Sequence, residues 1–414
     1  MTTATAEALD ADAIGRVGEH LEEPDWLRAS RASWWERAEA TPPPTGQEEE
    51  WRRTDLAALP RDGRLLVDVP RLDVTLPPGA AEAGVVLADL RDAVREHPEL
   101  VRRTLGQLDG PDSHAHYWAL AQAAWTGGLF CHVPRGVVVD GTLVARTTLP
   151  EAGGTYLPVS LVVAEEGSSV TLLEQTVSPE GEPGWYGGIV EVVAGRASTV
   201  RYANLQQLGS AAWNIGAQRV EVGPDADVTT LNAEIGSKVT KVGLDVAMAG
   251  KGGTSKLLGL LAAGGDQHID INAHQVLAAD YTTSDLLYLS ALYDRSRAAF
   301  YGVTRVEHGT KQTSSYQECR NLLLSPDAGA EPIPVLEIKA NDILRCGHGA
   351  TAGAIDPIQL FYAQSRGLDA VDAERMIVRG FFEQVVRQIG DETIREHVLA
   401  ALATRIGTEE HDAA

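Results

Sequence analysis

Gly167, Gly195 and Gly223 stand 28 residues apart, and the glycines from Gly250 to Gly253 fall where a further 28 would land. Each lies at the bend of a strand-bend-strand segment: LVVAEEGSSVTLLEQ, IVEVVAGRASTVRYANLQQ, QRVEVGPDADVTTLNAEIG and DVAMAGKGGTSKLLGLL. Repetition at a fixed period in this range marks a solenoid, in which each unit buries its apolar face only against the next. Parallel strands otherwise need long crossovers, usually helical, and no helix-period segment separates these strands between about 125 and 345. A parallel β-helix removes that difficulty, because each coil stacks its strands on those of the coil before. An antiparallel sandwich joined by glycine hairpins is the alternative, and it does not demand so regular a spacing. The chain is therefore expected to be mainly β.

The flanking segments read differently. Over residues 1 to about 59, Ala-rich turns precede DWLRASRASWWERAEA, where Trp26, Ser30, Trp34 and Arg37 follow roughly helical spacing until Pro42, Pro43 and Pro44 end it. From about 60 to 115, short apolar runs alternate with Pro and Gly, as expected of a small mixed α/β region. Near the other end, Asp356 before Pro357 reads as a helix cap followed by a first-turn proline, and Gly367 as a left-handed C-terminal stop. A second helix opens at Asp369, with Asp372 three residues on, and carries Met376, Ile377, Phe381, Val385 and Ile389 on one stripe. The expected organisation is an N-terminal helical and mixed region (1–120), a β-helix core (121–350) and a C-terminal helical domain with a hairpin (351–414).

Composition narrows the function. With 35 Lys and Arg against 58 Asp and Glu, the formal charge of −23 opposes phosphate backbones and anionic lipid surfaces, so neither nucleic acid nor a membrane is expected as a partner. Cys131, Cys319 and Cys346 leave one cysteine over in any disulfide scheme, which fits a reducing, cytoplasmic compartment. The first 30 residues lack a basic and apolar leader pattern, and no run of about 18 apolar residues occurs. AGKGGTSK (249–256) places Gly252 where a P-loop needs Ser or Thr after the lysine, so any ATP is expected to be hydrolysed by another chain.

Two constellations carry possible chemistry. In LEIKANDILRCGHGATAGAIDP (336–357), Cys346 and His348 are two apart, so on an extended backbone both point to one face, with Gly347 and Gly349 shielding them little. A thiolate beside an imidazole suits iron, copper or zinc, but two ligands are too few for a closed site, and the rest would come from a partner chain or a mobile loop. A small buried cysteine and a histidine bonded to a turn fit the same spacing. In GGDQHIDINAHQ (264–275), Asp266, His268, Asp270, Asn272 and His274 alternate with apolar residues, as a cation-binding stripe or as a solvated or interface face. His114, His116 and Cys319 read as packing or surface residues.

Four segments in order, EEEWRRTDL (48–56), WTGGLFCHVPRGV (125–137), SSYQECRNLLLSPDAGAEPIPVLEIKANDILRCGHGATAGAID (314–356) and PIQLFYAQSRGL (357–368), resemble the SufB/SufD family of iron-sulfur cluster assembly proteins across nearly the whole chain. The length and the CGHGAT form resemble SufD, whereas WTGG and Cys319 lean towards SufB.

The resemblance implies a right-handed parallel β-helix flanked by helical parts, and a non-catalytic scaffold that pairs with a SufB-like subunit, or with itself as a homodimer. It implies His348, with Cys346 beside it, as the metal-facing residues at the subunit interface, where iron or a nascent cluster is held jointly with SufB; no cofactor is implied for this chain alone. It implies that the SufC ATPase, of the ABC type, docks on the helices after residue 356, at Asp356, Pro357, Gln359, Leu360, Phe361, Tyr362, Arg366 and Gly367. A cluster-receiving SufB-type subunit and a β-helix enzyme acting on acidic polysaccharides are the competing expectations.

Overall fold

The computed structural model describes residues 6–60, 64–150 and 153–406; the expectations for residues 1–5 and 407–414 lie outside them. The middle of the chain is a parallel β-helix. One sheet runs in register from Val159–Ala164 through Ile189–Ala194 and onwards to Gly329–Ile338. The other runs from Val138–Thr148 and Ser169–Val177 to Lys311–Leu323 and Asp342–Gly353. Between the sheets, Val192, Val220, Val246, Leu257 and Leu286 fill a closed bore. Each such side chain contributes about 1.5–3 kcal/mol on burial.

The coil length is not constant. The left-handed bend residue recurs at Gly136, Gly167, Ala197, Asp225, Gly252, Tyr281 and Gln312, with steps of 31, 30, 28, 27, 29 and 31 residues. Most of these amides bond to the next coil, as Gly167 N–H does to Arg196 O and Ala197 N–H to Pro224 O. Gly195 and Gly223 occupy a different position, where their N–H groups bond to Ala164 O and Ala194 O. The 28-residue step from Gly167 to Gly195 thus joins two non-equivalent sites, while that from Gly195 to Gly223 is a true coil repeat. The solenoid follows, but from a looser period than the glycines suggest.

Eight helices among the described residues flank the solenoid: α1 (Ala11–His20), α2 (Asp25–Ala40), α3 (Leu90–Glu96), α4 (Pro98–Thr104), α5 (Ala115–Ala124), α6 (Pro357–Ser365), α7 (Ala370–Ile389) and α8 (Glu392–Ile406). The first five, with the loops around them, pack on the outer face of the first sheet. In α2 the buried positions are Leu27, Arg31 and Ala38, with Trp26 and Trp34 on the shoulder and Arg37 exposed. Arg31 is tolerated there because Glu23 pairs with it at 2.6 Å, Ala123 O accepts from it and the Trp125 ring lies 4.1 Å away. Residues 6–8 form a short strand rather than a turn of helix. Helices α7 and α8 cover the outer face of the second sheet through Val378, Phe382, Val385, Ile389, Ile394 and Val398. The buried stripe of α7 is therefore turned from the expected one, and Met376 lies outward, 51% exposed. Among the described residues no helix is long and apolar enough to cross a membrane.

The two ends of the solenoid differ. At the first, Val86–Asp89 and Asp73–Thr75 pair antiparallel with Leu129–Val133 and Val138–Thr148, and Ala80, Val85 and Leu87 plug the bore. At the last, the strands Gly329–Ile338 and Asp342–Gly353 have, among the described residues, no strand on their far sides.

Candidate functional site

The final coil carries the residues singled out from sequence. Cys346 lies beside Ser315, His348 beside Gln317 and Ala350 beside Cys319 in the parallel register. Register neighbours in a parallel pair point to the same face, and Ser315, Gln317 and Cys319 are buried in the bore. Cys346 and His348 therefore share the bore side of a strand that no further coil covers. His348 is exposed and Cys346 half-buried. Gly347 and Gly349 face the other way, where they make room for Tyr316: a Cβ there would lie 3.4 Å from its ring and 3.1 Å from its hydroxyl oxygen, respectively. The exposure of His348 thus comes from the end of the solenoid, not from its flanking glycines.

The two interior cysteines differ chemically from Cys346. Burial pushes the thiols of Cys131 and Cys319 up to about 12, so neither carries useful thiolate near neutrality. Partial burial also raises the Cys346 thiol, and a bound cation would lower it again by stabilising the thiolate. Among the described residues no three His, Cys, Asp or Glu side chains converge to hold a metal ion. Cys346 and His348 supply two ligands at most, and the remaining positions are open to a partner.

The rim of this end exposes two apolar side chains among charged and polar neighbours such as Lys339, Asp342 and Arg345. Ile338 is 44% and Leu344 65% exposed, and Leu344 occupies the irregularity between the Thr313–Ile343 and Ser314–Arg345 pairs. Three residues beyond the strand, α6 begins. Asp356 caps it by accepting from Ile358 N–H at 2.8 Å, and Pro357 sits in its first turn. Gly367, at φ +99, ends it in the left-handed region. Ile355, Ala363 and Leu360 turn towards the body, whereas Phe361 (71%) and Tyr362 (60%) stand out with Gln359. Arg366 donates to Tyr362 Oη at 2.7 Å. Ile358, Val371 and Met376 are exposed apolar residues of α6 and α7; Met376 stands outward although its spacing predicts the buried stripe, because helical periodicity identifies a stripe without saying which element it meets.

The acidic stripe from Asp266 to His274 has another role. Asp270 and Asn272 are buried beneath residues 48–56, which cross the outer face of the first sheet as a strap. Lys241 meets Asp270 at 2.8 Å and also donates to Glu50 O, while Thr54 Oγ1 donates to Asp270 at 2.7 Å. The cation of this stripe is the protein's own ammonium. Asp266 pairs with Arg295 at the surface, and His268 lies 3.4 Å from Thr54. Trp51 anchors the strap by donating to Ser113 O at 2.7 Å and stacking 4.7 Å from the buried ring of His114. His116 is half-buried, with Nδ1 2.7 Å from Thr41 O. Arg53 reaches onward to Glu331 of the last coil at 3.3 Å.

One interior carboxylate makes the junction with the N-terminal helices sensitive to pH. Burial pushes Glu191 up to about 8, against the opposing hydrogen bonds from Gln122 and the Gly106 and Leu108 amides. The folded state therefore binds this proton more tightly than the unfolded chain does. The associated stability is complete below about pH 4.5 and is lost as pH rises through about 8, by about 1.4 kcal/mol per unit in between. Chemical denaturation from pH 5 to 8 is expected to show this decline, and Glu191→Gln to make it shallower, leaving the share of Glu234, which burial pushes up to about 7.

The family model described as "SUF system FeS cluster assembly, SufBD core domain" matches residues 147–381, more than half of the chain. The chain is 26% identical to the iron-sulfur cluster assembly protein SufD of Bacillus subtilis, over 98% of this chain and 100% of that relative. It is 27% identical to an iron-sulfur cluster assembly SufBD family protein of Staphylococcus epidermidis, over 74% of this chain and 66% of the relative. A solenoid that begins with a plugged end, finishes with an open Cys346–His348 coil and passes into capped helices is thus matched along its length, and the chain belongs to the SufBD family of iron-sulfur cluster assembly proteins, most like SufD.

Proposed function

We propose that this chain is a non-catalytic, SufD-like scaffold subunit of the cytoplasmic Suf machinery, whose last coil pairs with the matching coil of a SufB-like subunit. The observation that carries the reading is the unpaired final coil with His348 exposed on its bore side. An open pair of strand edges with apolar residues at its rim is a template for another chain. The pairing aligns the two bores and brings partner ligands opposite Cys346 and His348, where iron and sulfide, the substrates of assembly, are held jointly. His348 serves as a neutral imidazole ligand, and Cys346 as a thiolate ligand or its neighbour. Without a SufB-like partner, a second copy of the chain takes the same edge.

The exposed surface of α6 and the start of α7 docks the SufC ATPase. The cap at Asp356 fixes the direction of α6, and Phe361, Tyr362 and Ile358 are the anchors. ATP-driven closure of paired ATPase subunits then pulls on α6, three residues from the last strand, and shifts the interface coil between closed and open arrangements. Phe361→Asp is expected to abolish ATPase capture while the circular dichroism spectrum and thermal midpoint stay at wild-type values, because that side chain contributes little to the core. Retained capture would remove α6 from the docking surface.

Two observations weigh against the rivals. Cys319 is buried with a suppressed thiolate, unsuited to receiving sulfur directly as a SufB-type subunit would. Helices and loops cover the outer faces that a β-helix enzyme would present to a polymer.

A further inference from the structure

The bore mixes apolar residues with buried polar side chains that pair with one another, as Gln275 Nε2 does with Ser284 Oγ and Thr304 Oγ1 with Gln275 Oε1 near the last coils. At the level of the strands Ile189–Ala194, Ala212–Val222, Thr199–Gln207 and Asp227–Glu234, a cavity of about 30 Å³ opens among Gln218, Asn232, Glu234, Asn214, Asn204 and Tyr186. Asn204 lies in register with buried Asn232 on the bore side, while its neighbours Ala203 and Leu205 pack under the C-terminal helices. Its accessible surface is therefore inside the solenoid, and the cavity admits a water-sized body.

The lining is built to hold one. Asn232 Nδ2 donates to Gln218 Oε1 at 3.1 Å, which leaves Gln218 Nε2 and Asn232 Oδ1 fully buried and without a protein partner. If both amides are turned over, one donor and one acceptor still remain. Glu234 receives Asn214 Nδ2 at 3.1 Å, and burial pushes its carboxyl up to about 7. Gln218 and Asn232 are 2% and 3% exposed, so bulk water does not satisfy them. A small neutral molecule that both accepts and donates fits this set, whereas a lone ion meets donor and acceptor together and an apolar guest meets neither.

We propose that this mid-bore chamber is a water site, in which about two ordered water molecules bridge Gln218, Asn232 and Glu234. One water accepts from the free donor and donates to the free acceptor of the amide pair; the other extends the chain to the carboxyl. The volume agrees, since one water occupies about 10–15 Å³ by the same measure. Between this chamber and the open coil, Leu257 and Leu286 add apolar core to the bore.

Oxygen-17 magnetic relaxation dispersion on the full chain counts long-lived internal waters and tests this directly. Asn232→Leu, which fills the chamber and removes an amide, is expected to lower the count by about two relative to wild type, and Val242→Ile, which adds one methylene from the apolar wall, by about one. An unchanged count in either folded variant overturns the proposal. If neither variant folds, a high-resolution crystal structure of the wild type decides: ordered density between Gln218 and Asn232 supports the site, and a featureless chamber refutes it.

Discussion

Replacing Lys241 by Met is expected to destabilise the protein by about 3–5 kcal/mol, the cost of leaving a buried carboxylate without its counter-ion. Lys241 and Asp270 are 0% and 1% exposed, and their 2.8 Å contact lies under the strap formed by residues 48–56. Burial lowers the Lys241 pKa while Asp270 raises it, so the ammonium is retained by its partner. After Lys241→Met, the Thr54 hydroxyl is the hydrogen-bond donor left on Asp270 among the described residues, and Glu50 O keeps the Asn272 amide but loses the ammonium. The double variant Lys241→Met/Asp270→Leu removes both charges and is expected to recover most of the loss, because apolar replacement of a buried pair is often near neutral. Thermal midpoints of wild type, both single variants and the double variant give the coupling directly. A Lys241→Met protein as stable as wild type would show that the pair is hydrated rather than buried.

The second large effect concerns His348. His348→Ala should leave folding and subunit pairing intact, since the side chain is exposed and stands at the end of the solenoid. Cluster accumulation on the complex is expected to fall at least about tenfold, because altering even an outer-shell partner of a metal ligand costs 10–100-fold in metal affinity or activity. Cys346→Ser should produce a smaller loss if the thiol is a neighbour, and a comparable one if it is a ligand. Anaerobic iron and sulfide analysis of the purified complexes separates these outcomes. Wild-type cluster content in His348→Ala would reduce the open coil to an architectural joint.

Much of this arrangement is legible in the amino-acid order. The strand-bend-strand texture and the absence of helical crossovers are enough for a solenoid, although Gly167 and Gly195 are not equivalent positions. Ala197, Asp225, Tyr281 and Gln312 adopt the left-handed bend without being glycine, so a search for spaced glycines finds only part of the ladder. The caps of α6 and α7 are local features and appear where Asp356, Pro357, Gly367 and Asp369 place them. Pairings distant in the chain are not legible. Asp270 faces Lys241 one coil away, within reach of the repeat, but nothing in GGDQHIDINAHQ says that residues 48–56 cover it, because that contact joins segments more than 200 residues apart. Signature glycines can also have mechanical causes: Gly128, at φ +145, lies so close to the Val159 backbone that a Cβ would stand 2.0 Å from its carbonyl oxygen. The hydrated layer of the bore is hidden for a similar reason, since Gln218, Asn232 and Glu234 look like any alternating polar positions until the coils are stacked.

The most direct test of the central claim is purification of the tagged chain from its own host under anaerobic conditions, with identification of whatever accompanies it and measurement of bound iron and sulfide. Recovery with a SufB-like subunit and an ABC-type ATPase, carrying a cluster that the His348→Ala complex lacks, is the predicted result. A chain that returns alone and free of iron and sulfide under conditions where the host is building clusters would contradict the scaffold assignment.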